Sequence, residues 1–130
     1  MILKIITHER IVFDDEVDEL IIQTSTGQMG VLKDHIPVTT VLDVGVTKAR
    51  IADKTKYFAT MGGIFQFKDN IATILTDVCE EGCDIDVTRA NDAKNRAEAR
   101  LADNSAKVDS QRAQAALARS LARLKAALNK

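Results

Sequence analysis

The chain changes character near residue 85, and that change constrains the fold more than any other feature. Up to Asp84 the sequence is a series of short β-branched runs, over residues 2–6, 11–13, 20–24, 37–42, 44–47, 57–60, 64–67 and 71–76. Turn formers separate them: Asp14-Asp15, Thr26-Gly27, Gly30, Asp34, Asp43, Gly62-Gly63, Asp69-Asn70 and Glu81-Gly82. Short strands at such regular spacing predict an all-β sandwich or barrel. Period-2 alternation sends Ile71, Thr73 and Leu75 to one face and Ala72, Ile74 and Thr76 to the other. The only proline, Pro37, opens a strand candidate, where a missing N–H is tolerable. Residues 86–130 hold 13 alanines, no Gly and no Pro, a helical composition. Asp86 is placed to cap a first helix. Asp103-Asn104-Ser105 reads as a break, and Asp109 or Ser110 can cap a second helix running to about Lys130. The expectation is an α+β chain: a β-sandwich domain over 1–84 and an antiparallel helical hairpin over 85–130.

Helix geometry sorts the hairpin side chains. Leu117, Leu121, Leu124 and Leu128 form one stripe of the second helix, and Arg112, Arg119, Arg123 and Lys130 another. In the first helix Ala90, Ala97 and Leu101 share a face, and Arg89, Arg96 and Arg100 a second. Such thin seams bury little area, so the hairpin should dock weakly and be able to move. Charge divides at the same point. Residues 1–84 carry 8 basic and 14 acidic side chains, net −6, whereas 85–130 carry 10 and 5, net +5. The two parts either serve different partners or attract each other.

Composition removes several function classes. Hydrophobic residues are 45% and charged residues 28%, ordinary for a globular chain. No apolar run approaches the ~20 residues that span a bilayer. The N-terminus lacks the features of a signal or transit peptide, so the chain is expected to work without secretion. Two cysteines, Cys79 and Cys83, do not make a disulfide scaffold. They read as reduced thiols near a turn rather than as a zinc site. Trp is absent and aromatics are 4%, which disfavours nucleic-acid stacking.

Enzyme motifs are missing: there is no phosphate loop and no nucleophile elbow. His35 beside Pro37 reads as a turn residue rather than a base. Gly27-Gln28-Met29-Gly30 reads as a hairpin turn needing positive φ, with Gln28 and Met29 at its tip. The arginine rows are either a solvated face with i,i+4 support, such as Asp92 with Arg96, or an anion site suited to phosphate.

Residues 24–37, Thr24-Ser25-Thr26-Gly27-Gln28-Met29-Gly30-Val31-Leu32-Lys33-Asp34-His35-Ile36-Pro37, resemble the T-x-x-G-x-x-G-[VI]-L-x-x-H-x-P segment of the epsilon subunits of rotary F-type ATP synthases. Val41-Leu42-Asp43-Val44-Gly45, Met61-Gly62-Gly63-Ile64-Phe65 and Ile71-Ala72-Thr73-Ile74-Leu75 follow in the family's order, and the resemblance covers nearly the whole chain. It implies a non-catalytic subunit of the central stalk, seated on the gamma subunit and the c-subunit ring, that couples proton flow to ATP synthesis. It further implies a hairpin that folds on the β domain or extends toward the α and β catalytic subunits, where it inhibits ATP hydrolysis. By the same resemblance Gly27, Gln28, Met29, Gly30 and His35 face gamma and the ring. The implied location is peripheral, on the cytoplasmic face of a bacterial inner membrane or the stromal face of a thylakoid, reaching the membrane only through the complex.

The segment Ile85-Asp86-Val87-Thr88-Arg89-Ala90 matches the I/L-D-x-x-R-A motif with which several bacterial members bind ATP. Glu80, Arg96, Arg119 and Arg123 fall where that family site has its other residues. The resemblance thus implies ATP as a regulatory ligand, no catalytic cofactor and no metal. Arg119 and Arg123, one turn apart, could both meet one triphosphate. Two other readings of the chain remain: a free-standing small-molecule-binding β domain with a helical interaction tail, and a nucleic-acid binder using the +5 tail. The acidic β domain and scarce aromatics oppose the second.

Overall fold

The structure is a computed structural model that describes residues 1–103 and 109–129; Asn104 and Ser105 of the expected break, and Lys130, lie outside them. Eight strands precede two helices: β1 (Ile2–Ile6), β2 (Ile11–Glu16), β3 (Glu19–Thr24), β4 (Gly27–Leu32), β5 (Val38–Ile51), β6 (Lys54–Lys68), β7 (Ile71–Leu75) and β8 (Cys79–Glu81), then α1 (Val87–Ala102) and α2 (Ser110–Leu128). A 3-10 turn, Gly82–Asp84, joins β8 to α1.

The strands form a β-sandwich built on one long hairpin. β5 and β6 pair antiparallel over their whole length, from Val38↔Phe67 to Ile51↔Lys54. β3 and β4 continue the sheet from β5, and β7, β1 and β2 continue it from the second half of β6. β1 and β7 run parallel; β8 pairs the first half of β6, through Phe58, Ala59 and Thr60. Leu3, Ile5, Leu20, Ile22, Phe58, Phe65, Phe67 and Ile74 fill the space between layers and are fully buried. Alternation sends the residue after each of them outward, except after Phe58, where Ala59 is buried beneath the hairpin.

Two expectations about strands are corrected. Residues 38–42 and 44–47 are one strand, with Pro37 just before it, and 57–60 and 64–67 are another. Asp43 and Gly62 face each other where the ladder skips one pair and resumes in the same register. Gly62 and Gly63 hold φ of 80° and 115°. The apparent turn formers therefore interrupt and deform a continuous hairpin rather than end it. Residues 27–30 are likewise not a turn: they are paired strand, Gln28 opposite Gln23, and the turn is Ser25-Thr26. Gly27 has positive φ and Gly30 does not.

Both helices start where capping chemistry places them. The Asp86 carboxylate accepts from the Arg89 N–H at 3.0 Å, and Asp109 does the same for Arg112 at 3.1 Å. The hairpin docks through alanine. Ala126, Ala127, Ala90 and Ile85 pack on Val46 and Ala59, with Tyr57, Met61 and Leu124 at the margin. The expected leucine seam is corrected: Leu121 and Leu128 are 46% and 84% exposed, while Ala113, Ser120, Ala122, Ala126 and Ala127 are buried. Small side chains let the α2 backbone approach the sheet more closely than leucine would. Among the described residues the i,i+4 pair on α1 is Lys94–Glu98 at 3.8 Å, not Asp92 with Arg96. No helix among them is long and apolar enough to cross a membrane.

Candidate functional site

β8, the 3-10 turn, the first turns of α1 and the middle of α2 converge on one cleft of about 360 Å³. Glu80 enters from β8, Asp84 from the turn, Ile85 and Asp86 from the α1 approach, Arg89, Ala90, Ala93 and Arg96 from α1, and Arg123 from α2. Helical spacing explains the α1 wall, because residues 89, 93 and 96 lie one turn apart along one face. Ile85 and Ala90 are buried beneath it in the apolar contact that seats the hairpin.

The charges are mixed. Arg123, half-buried, donates from Nε to Glu80 Oε1 at 2.9 Å. This is the one ion pair among the described residues that ties α2 to the sandwich. Arg89 and Arg96 are exposed and make no ion pair among those residues. Asp86 has one carboxylate oxygen engaged at the helix cap. Two guanidinium groups from one helix and one from the other thus converge on a space that a polyanion could occupy.

Seven of the eight residues that the sequence assigns to nucleotide come together here: Glu80, Ile85, Asp86, Arg89, Ala90, Arg96 and Arg123. Arg119 does not line the cleft; it lies one turn away on α2, half-buried. Asp84 and Ala93 are lining residues that the motif missed. Ala93 was recoverable from its spacing to Ala90 and Ala97, whereas Asp84, in an irregular turn, carried no periodic signal.

The other assigned residues lie elsewhere. Residues 27–30 sit on β4, an edge strand. Gln28 is not at a tip: it borders a groove shared with Leu121 and Lys125 of α2, while Met29 packs inward on the sandwich core. His35 follows β4, its Nδ1 2.7 Å from the Ile36 carbonyl oxygen and its ring edge-on to Phe67 at 5.7 Å. The two thiols occupy different environments and both are free. Cys79 is buried, its Sγ 3.8 Å from Thr60 Oγ1, and burial pushes its thiol up to about 11. Cys83 is exposed beside Asp84.

Comparison with known proteins covers both parts of the chain. The profile of the ATP synthase Delta/Epsilon chain beta-sandwich domain matches residues 1–82, and that of the Delta/Epsilon chain long alpha-helix domain matches residues 84–127. An ATP synthase epsilon chain from Symbiobacterium thermophilum is 43% identical over 128 residues, 98% of this chain and 92% of its own. A chloroplastic ATP synthase epsilon chain from Eucalyptus globulus is 40% identical over 95% of this chain and 93% of its own. Among solved structures, a chain of the Euglena gracilis mitochondrial ATP synthase assembly shares the fold, with a TM-score of 0.84 at 24% identity. That match covers 98% of this chain and 81% of the other.

Proposed function

The chain belongs to the ATP synthase delta/epsilon family as a non-catalytic, epsilon-type subunit of the central stalk, and from that premise we propose that its hairpin is a nucleotide-sensitive regulator of the complex. ATP binds the cleft between α1, α2 and β8 and holds the hairpin docked. In the undocked state the hairpin extends toward the α and β catalytic subunits and inhibits hydrolysis. The observation that carries this reading is the composition of the cleft: Arg89 and Arg96 come from one helix, Arg123 from the other and Glu80 from the sandwich. Such a site exists only while all three parts are together. A ligand that needs the assembled site favours the docked state by its differential affinity for the two states.

The triphosphate lies among the arginines, displacing Glu80 as the partner of Arg123. Asp86 cannot favour phosphate; it caps α1 and faces the nucleoside. Residues 1–84 act as the stalk-binding domain and 85–130 as the regulatory one. Gamma seats on an exposed apolar row that crosses the sheet. Val41 pairs with Ile64, Ile64 with Leu75, Leu75 with Ile6 and Ile6 with Ile11. Four of these are 49–61% exposed. A contiguous apolar patch of this kind marks a protein contact rather than ordinary surface. The β4 edge and the loop after it, bearing Gln28 and His35, face the c ring. The subunit reaches the membrane only through that contact.

Isothermal titration of the full chain with ATP tests the nucleotide reading. A saturable one-to-one isotherm, weakened in Arg123→Ala, is expected. An absence of heat at millimolar ATP, with fluorescent-nucleotide binding also absent, refutes it and leaves Asp86 as a helix cap.

A further inference from the structure

The 3-10 turn between sandwich and hairpin makes a contact that depends on the absence of a side chain. Gly82 is buried, and a Cβ built on it would collide with the Ala126 carbonyl oxygen near the end of α2. The same Cβ would lie 2.9 Å from the Ala126 carbonyl carbon and 3.4 Å from the Tyr57 carbonyl oxygen. All three atoms are backbone, so no rotamer change relieves the overlap. Gly82 does not have positive φ. Its glycine requirement therefore comes from packing and not from backbone conformation.

We propose that Gly82 is the steric seat of the hairpin, a position whose size sets how far α2 is docked on the sandwich. Ala126 is completely buried there, and the surrounding contact is an alanine layer with little area to spare. A methyl group at residue 82 lifts the end of α2 from that layer. A radial gap of 0.5–1 Å already forfeits roughly a quarter to a half of the dispersion attraction across it. The displacement also reaches the cleft, because the Gly82 carbonyl accepts from the Ile85 N–H at 3.3 Å, immediately before Asp86. The chain thus carries a control over hairpin docking that uses no charge and no ligand. This inference concerns docking alone and stands whether or not ATP binds.

Hydrogen exchange of the intact isolated chain, without nucleotide, tests it. In Gly82→Ala the amides of α2 are expected to lose at least about tenfold in protection while β1 and β7 keep theirs. Gly82→Ser, with a larger side chain, should lose more. Gly30→Ala is the control, because a Cβ there meets nothing within 4 Å; it should match the wild type in both regions. Unchanged α2 protection in Gly82→Ala overturns the proposal. An equal loss in β1 and β7 also overturns it, since Gly82 would then serve the folding of the sandwich and not the docking of the hairpin.

Discussion

Arg123 concentrates the roles proposed for this chain in one side chain. It is held by Glu80 across the boundary between helix and sandwich, and it borders the cleft. Both partners are about a third exposed, so solvent screening limits the pair itself to about 1 kcal/mol or less. Its larger effect should be on ligand. Losing one charge-assisted contact costs about 1.5–3 kcal/mol, so Arg123→Ala should weaken ATP binding roughly ten- to a hundredfold by titration. Arg119→Ala should weaken it less, because Arg119 does not line the cleft, and Arg112→Ala least. Cys79 gives a different residue-level expectation. Its thiol stays protonated in the fold up to about pH 11, whereas an unfolded thiol ionises near 9. The folded state holds a proton that the unfolded state has lost, so this contribution is whole below pH 9 and disappears between about 9 and 11. Chemical denaturation across that window should show a shallower fall in stability for Cys79→Ala than for the wild type; parallel slopes would count against it. The cap at Asp86 and the α1 face bearing Arg89 and Arg96 were legible because capping and helix spacing are local rules, whereas the assignment of these residues to nucleotide came only from the family motif. Arg119, assigned by the same family resemblance, lies one turn along α2 from Arg123 and does not line the cleft, because helix spacing fixes a shared face and not what that face meets.

At the scale of elements, β5 and β6 set the sandwich and α2 sets the hairpin. The strands themselves were readable from β-branched runs, and the helices from alanine and the aspartate caps. Their continuity was not. Asp43 and Gly62-Gly63 have the composition of turns, but long-range pairing carries the ladder past them. The leucine stripe failed for a related reason. A hydrophobic period names the greasiest face, yet the sheet receives α2 where the backbones can come closest, at Ala122, Ala126 and Ala127. Leu121 and Leu128 are left exposed. Deleting residues 86–130 removes this element while leaving every strand of the sandwich intact. The synthase carrying the truncated chain should hydrolyse ATP faster than the one carrying the full chain. Equal rates in reconstituted complexes would mean that the hairpin does not restrain hydrolysis.

At the scale of the whole molecule, the two parts have opposite net charge, −6 and +5. They meet through apolar contact with one cross-boundary ion pair among the described residues. The reversible docking proposed for the hairpin rests on this thin contact. The apolar row through Ile64 and Leu75, proposed above as the seat of gamma, lies elsewhere on the sandwich. Ile64 is half-exposed, so Ile64→Glu should change the melting point of the isolated chain little, within about 0.5 kcal/mol of stability. It should still weaken co-purification with gamma; undiminished capture of gamma would move the stalk contact to another face. Stabilisation of the docked hairpin by nucleotide is read most directly from the melting curve of the isolated full chain with and without millimolar ATP. A ligand that binds only the docked fold raises the midpoint, by about 2.7 kcal/mol of stability at a hundred times its dissociation constant. ATP should raise the midpoint, ADP should raise it less, and Arg123→Ala should show a clearly smaller ATP shift than the wild type. Superimposable curves for the wild type with and without ATP would contradict that stabilisation.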